Sequence, residues 1–108
     1  MSGTDQVTGT LSGSGGVGGN FVVFSLPIGI RVWTGKVTGL PNATNKTITL
    51  STGTFGASIY TAVASGGTLS KTIAGYALPD ASANTMNCIS KDVAGSSGSD
   101  LYFLIITS

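Results

Sequence analysis

The sequence predicts an all-β domain, a sandwich or jelly-roll-like barrel of about seven short antiparallel strands, held within a homo-oligomer. Three observations carry this expectation. Gly accounts for 17 of the 108 residues, Glu is absent, and Thr, Ser, Val and Ile fill the positions between glycines, a composition that suits pleated strands better than helices. Apolar residues alternate with polar ones, most regularly in Lys46–Thr52 (KTITLST), where Ile48 and Leu50 share one face. Clusters of Gly, Pro, Asn and Ser separate the apolar runs at short intervals.

Residues 1–20 (MSGTDQVTGTLSGSGGVGGN) alternate glycine with small polar side chains. Ordering such a segment costs much backbone entropy, so it reads as a flexible arm with strand character only around Val7–Leu11. Its removal is expected to leave residues 21–108, a single β domain, intact. The run Gly13-Ser14-Gly15-Gly16-Val17-Gly18 matches G-x-G-x-x-G, but a phosphate cradle needs a buried strand before it and a helix after it. Here Phe21–Leu26 follows as a strand, so no nucleotide site is read.

Phe21–Leu40 is the densest apolar stretch and holds the single Trp and the single Arg. Pro27 interrupts the ladder after Phe21–Leu26, and Ile28, Ile30 and Val32 then alternate against Arg31 and Trp33. That parity turns Trp33 away from Ile30 and Val32, which leaves it able to face solvent or a partner subunit; core filling or a subunit interface is the commoner role of a lone Trp in a β domain, and an exposed contact residue is the alternative. Gly39–Asn45 (GLPNATN) is a loop by its Pro and two Asn.

Beyond Lys46–Thr52, GTFG turns the chain, and Ala57, Ile59, Thr61 and Val63 are expected to share one face while Ser58, Tyr60 and Ala62 share the other. SGGT at 65–68 signals a hairpin into Leu69–Ile73, where Lys71 suggests a protected edge strand. Ala74–Ala83 reads as a loop anchored by Tyr76, Thr85–Ser90 as a short strand carrying Cys88, and Lys91–Asp100 as a long polar turn. Leu101–Thr107 (LYFLIIT) is apolar on both faces, so it is either central in the sheet or covered by a neighbouring subunit.

Composition also excludes functions. With five Lys and Arg spread along the chain and a net charge of +1, no basic patch exists for nucleic acid. No apolar run reaches the roughly 18 residues of a spanning helix, and the start lacks a basic, apolar leader, so neither membrane insertion nor secretion is expected. The sequons at Asn42 and Asn45 then read as turn chemistry. His is absent, which removes the commonest general base and metal ligand as well as the usual partner for Cys88 as a nucleophile. No G-x-S-x-G occurs, and the only carboxylates are those of Asp5, Asp80, Asp92 and Asp100. Asp92 and Asp100 flank one turn; oxygen ligation of a shared cation is the functional alternative there, and capping of backbone amides the structural one. We therefore expect no enzyme, no cofactor and no metal site.

The Gly/Ser/Thr-rich arm, the near absence of charge and the SSGSD turn (Ser96–Asp100) leading into LYFLIITS together resemble the small trimeric tip or head domains of bacteriophage tail fibres and tail needles. The resemblance implies a non-enzymatic virion structural protein, made in the host cytoplasm, that trimerises, contacts other virion proteins and binds a host-surface glycan or protein through its loops. The glycine-thinned core is consistent with stabilisation by self-association. Candidate contact residues, taken from loops and aromatics, are Trp33, Asn42, Asn45, Tyr76, Asp80, Asp92 and Asp100. A capsid decoration or assembly protein whose arm adds a strand to a neighbour, and a lectin-like carbohydrate-binding module, are the alternatives.

Overall fold

The computed structural model of the chain describes residues 5–68, 71–93, 95 and 100–108. These form β1 (Asp5–Ser12), a 3-10 turn (Ser14–Gly16), β2 (Gly18–Ser25), β3 (Arg31–Thr38), β4 (Lys46–Leu50), β5 (Ile59–Thr68), β6 (Lys71–Pro79), β7 (Thr85–Asp92) and β8 (Leu101–Thr107). The strands close into an antiparallel barrel in the order β1-β2-β3-β8-β5-β6-β7-β4, as the expected fold class requires. Its terminal end carries Asp5, Ser108 and the connections 26–30, 51–58 and 80–84. Its opposite, loop end carries the connections 13–17 and 39–45, the end of β7 and the start of β8.

Alternation explains the core. Directly paired residues share a face, so Val23 opposite Trp33, Trp33 opposite Ile105, and Ile48 opposite Met86 all point inward and are buried. Three successive strand pairs are not barrel neighbours, β3 and β4, β4 and β5, and β7 and β8, and the first two of these connections each insert one apolar plug. Leu40 closes the loop end, and Phe55 closes the terminal end, its ring centroid 4.7 Å from that of Trp33 and tilted by 51°.

Several expectations are corrected. The arm boundary at residue 20 falls inside β2, and residues 5–12 pair along their full length with β2. Leu11 and Val17 are buried in the core, and this burial offsets the entropy that the glycines cost. Phe21 shows how: its ring fills the space a side chain at Gly9 would take, with the position of a Cβ there only 2.5 Å from the ring. Trp33 is likewise a core residue, 1% exposed, with its Nε1–H donating to Thr107 Oγ1 at 3.0 Å and the Arg31 guanidinium 5.3 Å from its ring. Pro27 lies in the turn between β2 and β3, so the parity of β3 is set by its pairing with β2 and not by Ile28, which is 77% exposed.

The parity read for β5 fails at a bulge. Ile59 pairs with Thr107 and Thr61 with Ile106, so Tyr60 is an extra residue and the strand changes face. Ala62 and Ala64 therefore pack on the core while Val63 faces out. Ser65–Thr68, expected to turn, is strand paired with Lys71–Ala74. Tyr76, expected in a loop, is mid-strand in β6 opposite Ile89; β6 pairs with β5 over Lys71–Ala74 and with β7 over Ile73–Pro79, so among the described residues it has a partner on both sides at Ile73 and Ala74, and Lys71 is paired with β5 alone. Leu69 and Ser96–Ser99 lie outside the described residues.

Candidate functional site

The barrel sorts the seven candidate contact residues into four places. Asn42, Asn45, Asp92 and Asp100 gather at the loop end; Tyr76 is on the side of the barrel; Asp80 is at the terminal end; Trp33 is inside. Trp33 is thus withdrawn as a contact residue, and Tyr76 and Asp80 share no surface with the loop-end group.

At the loop end, backbone needs decide the geometry. Crossing from β3 to β4, the chain runs beside β7 through a bridge between Asn42 and Ser90. The Ala43 N–H donates to the Ser90 carbonyl at 2.7 Å, and Asn42 Oδ1 accepts the Asp92 N–H at 2.8 Å. The Thr44 hydroxyl donates to the Asn42 carbonyl, so this sequon is engaged in turn chemistry. Lys91 Nζ donates to the carbonyls of Asp92 and Gly95, which fastens the start of the next connection. Asp100 forms an ion pair with Lys36 at 3.5 Å, and Lys36 also lies 5.6 Å from the Tyr102 ring. Among the described residues no three His, Cys, Asp or Glu side chains approach closely enough to hold a metal ion. Asp92 is 8% exposed and Asp100 is held by Lys36, so the two carboxylates are occupied separately.

The inward row of β7 is Met86, Cys88, Ser90 and Asp92, becoming polar toward the loop end. Cys88 is fully buried, and burial pushes its thiol from 9.0 up to about 12. The native state therefore holds this proton where the unfolded chain has lost it, so the contribution to stability is present below pH 9.0 and falls away as pH rises towards about 12. Native protein at pH 8 should leave Cys88 unmodified by a thiol reagent over hours, and denaturant should release a full equivalent at once. Absorbance titration of the thiol checks this.

An exposed, partly apolar surface lies on the outside of β2, β3, β8 and β5. Cross-strand pairing lays it out in rows: Phe24, Val32, Ile106 and Thr61; then Val22, Thr34, Leu104 and Val63; then Asn20, Lys36, Tyr102 and Ser65. Tyr102, Leu104 and Val63 are 52%, 41% and 54% exposed. Tyr102 and Leu104 form a ridge on β8. A groove of about 410 Å³, lined by Val22, Thr34, Lys36 and Tyr102, flanks it on one side, and one of about 380 Å³, lined by Val63, Ser65 and Leu104, on the other. Four strands at ~4.8 Å spacing and about seven residues at ~3.3 Å give a face on the order of 400 Å², the size at which apolar patches on soluble proteins mark contacts. These residues were not among the sequence candidates. The signal for them was LYFLIIT, apolar at successive positions, in a chain with too few charges to cover it.

Comparison with protein-family models, with curated proteins and with solved structures finds no match.

Proposed function

We propose that the protein is a non-enzymatic structural protein of a phage virion, a fibre or needle tip that trimerises through the outer face of β2, β3, β8 and β5 and meets a host-surface glycan or protein with its loop end. The observation that carries this reading is the neutral apolar face itself. Its one described cation, Lys36, is paired with Asp100, and a ridge between two grooves has the relief that a second copy of the same surface can interlock with. A net charge of +1 adds little repulsion between copies.

The loop end supports the receptor role by position. It gathers Asn42, Asn45, Asp92 and Asp100 at the end opposite Asp5 and Ser108, leaving the terminal end for attachment to other virion proteins. The fibre-tip reading is favoured over a decoration protein with a donated arm, because residues 5–12 already pair within their own barrel.

Leu104→Lys tests the reading. It places a charge in the centre of the face without entering the core, so the three-chain contact through this face should be lost and the molar mass should fall threefold while the thermal transition of the barrel persists. Light scattering behind size exclusion reads the first and circular dichroism the second. Binding of fluorescent wild-type protein to intact bacterial cells, reduced by substitutions at Asn45 and Asp100 but not at Asp80, tests the receptor role. A variant that keeps the wild-type mass, or cell binding indifferent to the loop end, argues against it.

A further inference from the structure

The barrel is closed at the β1–β4 seam by two residue pairs only, Leu11 with Leu50 and Ser12 with Thr49. Ser51 extends the seam by one step: its N–H donates to the Thr10 carbonyl at 2.9 Å, and its hydroxyl accepts the Thr10 N–H at 2.8 Å. Beyond Thr10, residues Asp5–Gly9 pair with β2 alone among the described residues. At the terminal end this stretch is the open edge of the sheet that continues through β2 and β3 to β8.

The Thr10 bonds fix the phase of that edge. Both Thr10 backbone groups point away from β2, and the β1–β2 register runs without a break, so the N–H and C=O of Thr8 and Gln6 point the same way. The edge thus offers two donors and two acceptors spaced as an antiparallel partner needs. It also lacks the usual protections: Asp5–Gly9 (DQVTG) contains no Pro, no Lys and no bulge, and Val7 is 48% exposed.

We infer that the open edge of β1 pairs with the same edge of a second copy, antiparallel, about a two-fold axis at Val7. The sequence is self-complementary in this register. Gln6 and Thr8 exchange both backbone bonds with Thr8 and Gln6 of the other copy, Val7 lies against Val7, and Asp5 lies opposite Gly9 with no carboxylate facing another. An alignment shifted by one residue would point the bonding groups of one strand at positions where the other offers none. This contact is separate from the outer face of β2, β3, β8 and β5 and does not depend on it; where both form, the edges join trimers in pairs.

Cysteine substitution tests the contact and its register together, since the native Cys88 is buried. Across the axis the two Val7 Cα atoms form a non-bonded antiparallel pair about 4.5 Å apart, within disulfide reach, whereas Thr8 to Thr8 is about 8 Å and outside it. Full-length Val7→Cys should be converted mainly to covalent dimer under mild oxidation, and Thr8→Cys about tenfold less. The same dimer should form when Leu104→Lys is added, which separates this contact from the outer face. Val7→Lys should lower the molar mass of the otherwise native protein by half. Failure of Val7→Cys to cross-link, or equal or greater cross-linking by Thr8→Cys, would overturn the inference.

Discussion

Removal of residues 1–20 unfolds the protein. The deletion takes all of β1 and the first three residues of β2, and with them the partner of β2 along eight residue pairs and the closure against β4. It also removes Leu11 and Val17, each under 5% exposed, worth about 1.5–3 kcal/mol of apolar burial apiece. That loss alone approaches the 5 kcal/mol or so at the lower end of domain stability, before the exposed rims of β2 and β4 are counted. The truncated chain should show no cooperative thermal transition and rapid proteolysis. A cooperative transition within a few degrees of the full chain would mean that β1 adds nothing to the barrel.

Ile48→Asp has a comparable effect through a single residue. Ile48 is fully buried in β4, opposite the equally buried Met86. Loss of the apolar side chain and burial of an unpaired acid each cost several kcal/mol, and the sum exceeds the stability of a domain this size. Ile48→Val, which keeps the shape of the site, should cost only about 0.5–1.5 kcal/mol. Chemical denaturation of both variants makes the comparison. A folded Ile48→Asp protein would place the core on the other face of β4.

The fold class was legible because strand chemistry and turn chemistry agree along most of the chain, as in Lys46–Leu50 and Leu101–Thr107. Three features escaped local pattern for physical reasons. Residues 5–20 look unstructured by composition, yet Leu11, Val17 and the Phe21 ring over Gly9 supply enough burial to order them. The inward face of β5 changes at the Tyr60 bulge, which only the register with β8 reveals. Trp33 is turned inward by its pairing with Val23, a contact invisible in the alternation of its neighbours.

The same limits apply to the candidate site. Asn42, Asn45, Asp92 and Asp100 share one end of the barrel, where Asn42 bonds to Asp92, because β3 and β7 end and β4 and β8 begin there, which follows from strand order and not from spacing. The outer face is harder still to read from sequence, since Val22, Thr34, Leu104 and Val63 are drawn from four strands and meet only through cross-strand pairing. Gly35 helps to place it. A Cβ there would collide with the Asn20 carbonyl oxygen of β2 and come within 3.0 Å of the Phe103 ring, so glycine lets β3 lie close to the β2 backbone while Thr34 and Lys36 line the groove outside.

The measurement that bears most directly on the account is the molar mass of the wild-type protein by light scattering behind size exclusion, over a hundredfold range of concentration. The account predicts three times the 10.7 kDa of one chain, or six times where the β1 edges also pair. A mass of 10.7 kDa at every concentration would contradict it.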